Sequence, residues 1–231
     1  MPEFKSALIV GAGAGLSAAL ARALAQRKIE VALAARSVGD LEPLVAEIGA
    51  QSFSCDASQR AEVDKLFAAL DAESRAPDVV IYNASYRTRG PFVDLDPVEV
   101  EKSIAVSAYG AFLVGQAAAR RMLPKQHGAI LFTGASASVK GYAQSASFAM
   151  GKFALRGLAQ SMARELAPHG IHVAHIVIDG GIRSGRRSDP PDRPDSTLDP
   201  DAIAATYLHL LYQPHSAWAW EIELRPWLER F

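Results

Sequence analysis

Apolar residues fall along this chain in two alternating patterns. Short runs dense in β-branched residues are separated by longer stretches in which Leu, Ile, Val and Ala recur three and four positions apart. The first pattern reads as buried strands and the second as amphipathic helices. Strands are expected at residues 7–10, 29–34, 51–54, 79–82, 129–133, 171–178 and about 220–224. Leu16, Leu20, Ala23 and Leu24 mark the first helix, which reaches about Lys28. Leu41, Leu44, Val45 and Ile48 mark the second, and Val63, Leu66, Phe67 and Leu70 the third. Asp96 is a suitable N-cap, with Pro97 at the first helical position and Glu99 where a capping box needs it. That helix, or helix pair, is expected to run to about Met122. The next opens around Ser147-Phe148-Ala149-Met150-Gly151-Lys152 and ends near Ala167, ahead of Pro168-His169-Gly170. A last helix starts at Asp199-Pro200 and reaches about Leu211.

Strands apolar on both faces, alternating with helices, call for a parallel sheet covered on both sides. Right-handed crossovers then give one doubly wound, Rossmann-type α/β domain over residues 1–231, with seven strands in the sheet. Ligands in such sheets bind beyond the carboxyl ends of the strands. The loops after Val10, Ala34, Tyr82, Thr133 and Ile178 should therefore meet at one site. The irregular stretch 183–198, rich in Pro, Asp, Ser and Arg, is too long for a simple connector. It reads as a lid over that site or as a solvated loop.

Composition narrows the class. A chain of 231 residues, 49% hydrophobic and 21% charged, has enough apolar material for a core without staples. A net charge of −1 gives no reason to expect nucleic acid or an anionic membrane as a partner. No apolar run approaches the ~20 residues of a membrane span. The apolar start at residues 7–10 breaks at once into glycines, unlike a signal peptide. The single cysteine, Cys55, excludes an internal disulfide and suits a reducing, cytoplasmic setting.

The chemistry sits at the loops. Gly11-Ala12-Gly13-Ala14-Gly15-Leu16-Ser17 joins the first strand to the first helix. Glycines there let the backbone turn tightly and approach a phosphate, whose charge the helix N-terminus favours. The spacing resembles the TGxxxGxG loop of the short-chain dehydrogenase/reductase family, with Gly11 and Gly15 matching, Val10 in place of Thr and Ser17 in place of the last Gly. Tyr82-Asn83-Ala84-Ser85 is similar to the family's NNAG, with Asn83 and Ala84 retained. Cys55-Asp56 falls where the family holds the adenine ring. Asp179-Gly180-Gly181-Ile182-Arg183-Ser184 resembles the PG-x-I-x-T loop. That resemblance implies that Gly180, Ile182 (through its backbone) and Ser184 hold the nicotinamide carboxamide.

The resemblance covers nearly the whole chain and implies a nicotinamide dinucleotide cofactor and carbonyl/alcohol chemistry. No acidic residue follows the second strand to take an adenosine ribose 2′-hydroxyl. Arg36 stands there instead, and a guanidinium meets a 2′-phosphate in bidentate fashion. With Ser37 beside it, this favours NADP(H), with NAD(H) as the alternative. In the family, a Ser holds the substrate carbonyl, a Tyr transfers the proton, and a Lys lowers the Tyr pKa from about 10 toward working pH. Lys152 matches the Lys. Phe148 occupies the Tyr position, four residues earlier and on the same helix face. Ala135 aligns with the Ser slot. A one-residue slip would place Ser136 there, with Ser138 as a further candidate. Ser107 falls where the family has Asn. Phe cannot transfer a proton. Tyr142, expected near the start of the same helix, is a weak replacement acid, and Tyr86 is another.

Two functions follow from this set: an NADP(H)-dependent oxidoreductase for a small carbonyl or alcohol with a rearranged acid, or a dinucleotide-binding sensor or assembly partner without family-type turnover. His169, His172, His175, His209 and His215 form no metal-ligand pattern, so no metal is expected. Arg183, Arg186, Arg187 and Arg193 on the 183–198 stretch read first as a solvated loop balanced by Asp189, Asp192 and Asp195, and second as an attraction for an anion. Phe153, Leu155, Leu158, Met162 and Leu166 spread over more than one helix face, so that helix must be buried in the sheet or against a partner. Family members usually assemble through this helix and the one before it, which implies a C₂ homodimer or D₂ homotetramer. Trp218, Trp220 and Trp227 offer a second contact surface.

Overall fold

The computed structural model describes residues 3–185 and 187–228. Its strands are β1 (Ser6–Val10), β2 (Glu30–Ala35), β3 (Gln51–Ser54), β4 (Val79–Tyr82), β5 (Gly128–Thr133), β6 (Ile171–Ile178) and β7 (Glu221–Leu224). All pair in parallel, in the order β3-β2-β1-β4-β5-β6-β7. The order reverses between β1 and β4, which opens a crevice at the carboxyl ends of those two strands.

The helices are α1 (Leu16–Gln26), α2 (Glu42–Ile48), α3 (Arg60–Ala72), α4 (Pro97–Ile104), α5 (Gly110–Met122), α6 (Ala146–Leu166) and α7 (Pro200–Leu211). Side chains alternate across a strand, so β1, β2, β4, β5 and β6 each feed two cores. Ala7 and Ile9 of β1 pack with Leu20, Leu24, Leu44 and Tyr207 beneath α1, α2 and α7. Leu8 and Val10 pack with Phe67, Val114, Phe132 and Leu155 beneath α3, α5 and α6. Burying each such side chain contributes roughly 1.5–3 kcal/mol.

Local details depart from the pattern-based expectation in three places. Asp96 does cap α4, accepting the Val98 N–H at 2.9 Å, with Pro97 first in the helix. Glu99 does not close a capping box, because its carboxylate takes the Tyr86 hydroxyl and pairs with Lys102. Between α4 and α5 the helix widens into a π-turn at Ala105–Tyr109. That turn buries Ser107 against Gly151 of α6, where any Cβ would lie 2.8 Å from the Ser107 Cβ. Finally, α6 starts at Ala146, so Tyr142 lies in the preceding loop and not on the helix.

The segment between β6 and α7 is folded. Ile182 bridges to Leu198 at its two ends. The Asp189 carboxylate accepts the backbone N–H groups of Asp195 and Thr197 and the hydroxyls of Ser196 and Thr197, at 2.6–3.2 Å. Those bonds hold the Asp189 carboxyl below the usual carboxylate range. Arg186, part of the basic set expected on this segment, lies outside the described residues. Among the described residues, no helix is long and apolar enough to cross a membrane.

Candidate active site

The glycine-rich turn is set by close packing. Gly11 has φ +84°, and a Cβ there would sit 2.3 Å from the Ala84 backbone nitrogen. Only glycine lets β1 and the loop after β4 approach this closely. Ser17 then ties the turn together. Its hydroxyl donates to the Gly11 carbonyl at 3.0 Å and accepts from Asn83 Nδ2 at 2.7 Å. The serine that replaces the family glycine is thus a strut between turn, helix and β4 loop. Gly15 caps α1 with no side-chain hydrogen bond, and no acidic residue stands in the first turn. A Cβ at Gly13 or Gly15 would meet nothing within 4 Å. The positive end of α1 therefore faces open space, as a phosphate requires.

A cleft runs along the carboxyl edge of the sheet in two lobes that share Asn83 and Ser85. The first lobe, about 560 Å³, is lined by Gly11, Arg36, Ser37, Cys55, Asp56, Asn83 and Ala84 among others. Asp56 is steadied by the Ser58 N–H and hydroxyl, at 3.0 and 2.7 Å. Burial pushes the Cys55 thiol up to about 11, with the charges of Glu62 and Asp56 adding to it, so Cys55 is an un-ionised wall residue. Gly13 and Ala14 form the turn above α1 without lining either lobe.

The second lobe, about 500 Å³, gathers Gly15, Leu16, Ser136, Tyr142, Phe148, Lys152, Gly180, Ile182 and Ser184 from separate elements and loops. Lys152 is buried, and its Nζ donates to the Thr133 carbonyl at 2.7 Å. Burial without a carboxylate partner lowers its pKa from 10.5 to about 8. The ammonium lies 5.8 Å from the centroid of the Phe148 ring. Arg87 lines the same lobe, and its guanidinium carbon stands 4.9 Å from the same centroid. Phe148 therefore lies within cation–π reach of two cations.

Four side chains named from the sequence fall into place differently. Ser107 lines neither lobe. Its hydroxyl is spent on the Tyr86 backbone, accepting from N–H at 3.3 Å and facing the carbonyl at 3.5 Å. Tyr86 lines the first lobe, not the second, and gives its hydroxyl to Glu99. Ser138 is buried, where its hydroxyl accepts the Ala135 N–H at 3.1 Å. Tyr142 does reach the second lobe, at its rim, and is 50% exposed. Ser136 and Ala135 both line that lobe. The Ser136 hydroxyl hydrogen-bonds Asp179, and Lys140 donates to the same carboxylate at 2.8 Å. Burial works to raise the Asp179 carboxyl, but those bonds and the charges of Lys140 and Arg225 hold it below its ordinary value.

Arg87 was not singled out from the sequence. The available signal was two arginines, Arg87 and Arg89, in the loop that follows Asn83-Ala84, at the ligand edge of the sheet. The histidines take structural places. His172 stacks on Trp218 at 4.6 Å, and His175 bonds Glu221 at 3.0 Å. Burial lowers the His175 pKa to about 4, against the opposing pull of Glu221. The tryptophans separate, with Trp218 on His172, Trp220 under Arg156 and Trp227 exposed.

A parallel sheet of this order, a glycine turn at its switch point and a buried lysine beside the crevice define a dinucleotide-binding fold of the short-chain type. The chain matches the short chain dehydrogenase family over residues 5–189 and belongs to that family of oxidoreductases. A short-chain dehydrogenase structure from Rhodopseudomonas palustris is 36% identical, with a TM-score of 0.83, covering 96% of this chain and 99% of that one. A metagenomic short-chain oxidoreductase solved in complex with NADP is 28% identical, with a TM-score of 0.85, covering 97% of this chain and 98% of that one. D-threitol dehydrogenase of Mycolicibacterium smegmatis is 28% identical over 177 residues, which is 74% of this chain and 68% of that protein.

Proposed function

We propose that this protein is an NADP(H)-dependent oxidoreductase that interconverts a small carbonyl and its alcohol. The observation that carries the cofactor choice is Arg36 on the wall of the first lobe, with no carboxylate beside it at the end of β2. A carboxylate there would repel a 2′-phosphate, whereas a guanidinium can pair with it. The open space at Gly13 and Gly15 and the uncapped start of α1 fit the pyrophosphate. In this reading Asp56, on the wall of the first lobe, takes the adenine, and Gly180, Ile182 and Ser184, on the wall of the second, take the nicotinamide side. When bound, the cofactor supplies or accepts the hydride.

The protein's task is then the proton. Lys152 is the acid best placed for it, because it lies beside the ring that replaces the phenol and titrates at about 8. Ser136 offers a hydroxyl for the carbonyl oxygen, held by Asp179. Tyr142 is the phenol at the rim. The segment 183–198 lines one side of the second lobe through Arg183, Ser184 and Arg187, next to Ile182, and in this reading serves as its lid. Exposed apolar side chains on α5 and α6, Phe112, Met150 and Phe153, favour assembly through these helices into a dimer or tetramer.

Calorimetric titration with NADPH and NADH, followed by a carbonyl substrate panel, tests this reading. Tighter binding of NADPH and turnover of a carbonyl are expected. Failure of both dinucleotides to bind would sink it. Phe148 favours a second reading, in which the dinucleotide binds and no family-type turnover follows. Tight NADPH binding with no turnover on the panel selects that one.

A further inference from the structure

Two loops send arginines to the mouth of the second lobe. Arg87, after β4, stands over Phe148 and donates to the Ser145 hydroxyl at 3.3 Å. Arg187, after β6, lines the same lobe and lies over Gly181. Arg89 joins both in an adjoining recess of about 440 Å³, shared with Ser136 and Tyr142.

The nearby carboxylates are already engaged. Asp179 holds Lys140 and Arg225, and Asp189 and Asp199 hold Arg183. Among the described residues, Arg87, Arg89 and Arg187 pair with no carboxylate. Partial desolvation lowers the Arg87 pKa, and repulsion from Arg89 and Arg187 lowers it further. Gathering like charges without a counter-ion is unfavourable, and a bound oxyanion would reverse its sign. Phe148 contributes by being apolar, since its ring lies under the Arg87 guanidinium and no hydroxyl competes for it.

We propose that the second lobe takes a small carbonyl or alcohol substrate bearing an oxyanion, carboxylate or phosphate, held by Arg87 and Arg187 with Arg89 at the rim. For turnover this rests on the NADP(H) reading above, but binding of the anion does not depend on it. The reacting carbon then lies toward Lys152 and Ser136, and the anionic end lies toward the open recess.

The test is calorimetric titration of the full chain, free and saturated with NADPH, with matched probe pairs. These are 4-oxopentanoate against its methyl ester, and glycerone phosphate against glycerone. The anionic member of at least one pair should bind roughly tenfold tighter or more, and added salt should weaken that preference. Arg87→Gln and Arg187→Gln should each remove most of it, and Arg87→Lys should restore part. NADPH affinity should stay within about twofold in all three variants. Equal binding of anionic and neutral members, binding of none of the four, or a preference unmoved by the variants would overturn the proposal. Loss of NADPH affinity in place of probe affinity would overturn it as well, by assigning these arginines to the cofactor. If NADPH fails to bind the wild type, the dinucleotide reading fails, and the titrations on the free protein decide the arginines alone. Preference for the carboxylate or the phosphate probe identifies the oxyanion.

Discussion

Phe148→Tyr adds one oxygen to a ring that already lies within 6 Å of two cations. Phe148 is half-buried and lines the second lobe, a cleft of about 500 Å³. A phenol normally ionises at about 10. The Lys152 ammonium is 5.8 Å from the ring centroid, which at an effective dielectric of ~20 favours the phenolate by about 3 kcal/mol. Arg87, 4.9 Å away but exposed, adds roughly 1 kcal/mol after solvent screening. Each 1.4 kcal/mol is about a factor of ten, so the phenol's ionisation constant rises by two to three orders of magnitude. That brings the group within working pH, where a positioned acid typically contributes ~10²–10⁴ in rate. The assay is NADPH oxidation against a carbonyl panel, wild type and variant side by side, from about pH 6 to pH 9. A gain of about a hundredfold in kcat, with the NADPH affinity unchanged, is the expected result. The reasoning is refuted if the variant binds NADPH, its crystal structure places the new hydroxyl within hydrogen-bond reach of Lys152, and no rate gain appears.

Arg36→Ala should erase any preference for NADPH over NADH, as read by calorimetry; a preference that survives the change would remove Arg36 from the cofactor site. Lys152→Met should stabilise the free protein at pH 7 by about 2 kcal/mol in urea unfolding, since burial opposes the ammonium by about 3 kcal/mol and the bond to Thr133 returns about 1. The pKa in the folded state is depressed below that of the unfolded chain, so the penalty is full below pH 8 and is relieved between about 8 and 10.5. The advantage of the variant should therefore fade across that window, and a constant difference would show that Lys152 does not titrate there. Gly11→Ala should destabilise by about 3 kcal/mol or more, because a Cβ would lie 2.3 Å from the Ala84 nitrogen and φ is +84°; a wild-type melting temperature would contradict the packing described. Sedimentation at micromolar concentration should find a dimer or tetramer, and a clean monomer would mean that Phe112, Met150 and Phe153 remain solvated.

How much was legible in advance differed by residue. The strands at 79–82 and 171–178 fall where expected, because they are buried runs rich in β-branched residues and bounded by turn residues, whereas Gln51-Ser52-Phe53-Ser54, only partly buried, was placed mainly by the alternation of strands and helices around it. Asp96 and Asp199 were readable as caps because capping is a contact within two residues. Glu99 was misread as closing a capping box because Tyr86, thirteen residues away, takes its carboxylate. The π-turn at Ala105–Tyr109 left no pattern, since its counterpart, the close contact of Ser107 with Gly151, joins positions far apart in the chain. Tyr142 was placed on α6 by proximity in sequence, but the helix starts at Ala146.

The sequence alone determined the fold, and it carried the expectations of a cofactor edge and of Phe148 in the place of a phenol. Each depends on local spacing: short apolar runs between helical repeats, glycines in one turn, and residues four apart on one helix face. Only the tertiary structure decided what surrounds Phe148. Lys152 comes from α6, its carbonyl partner from β5, Arg87 from the loop after β4 and Arg187 from the loop after β6. Their convergence is set by how the strands are ordered in the sheet, and a charge has no periodicity that reveals which other charges it will face. The same crossings give the hydroxyls of Ser107, Ser138 and Tyr86 hydrogen-bond partners that the sequence does not reveal.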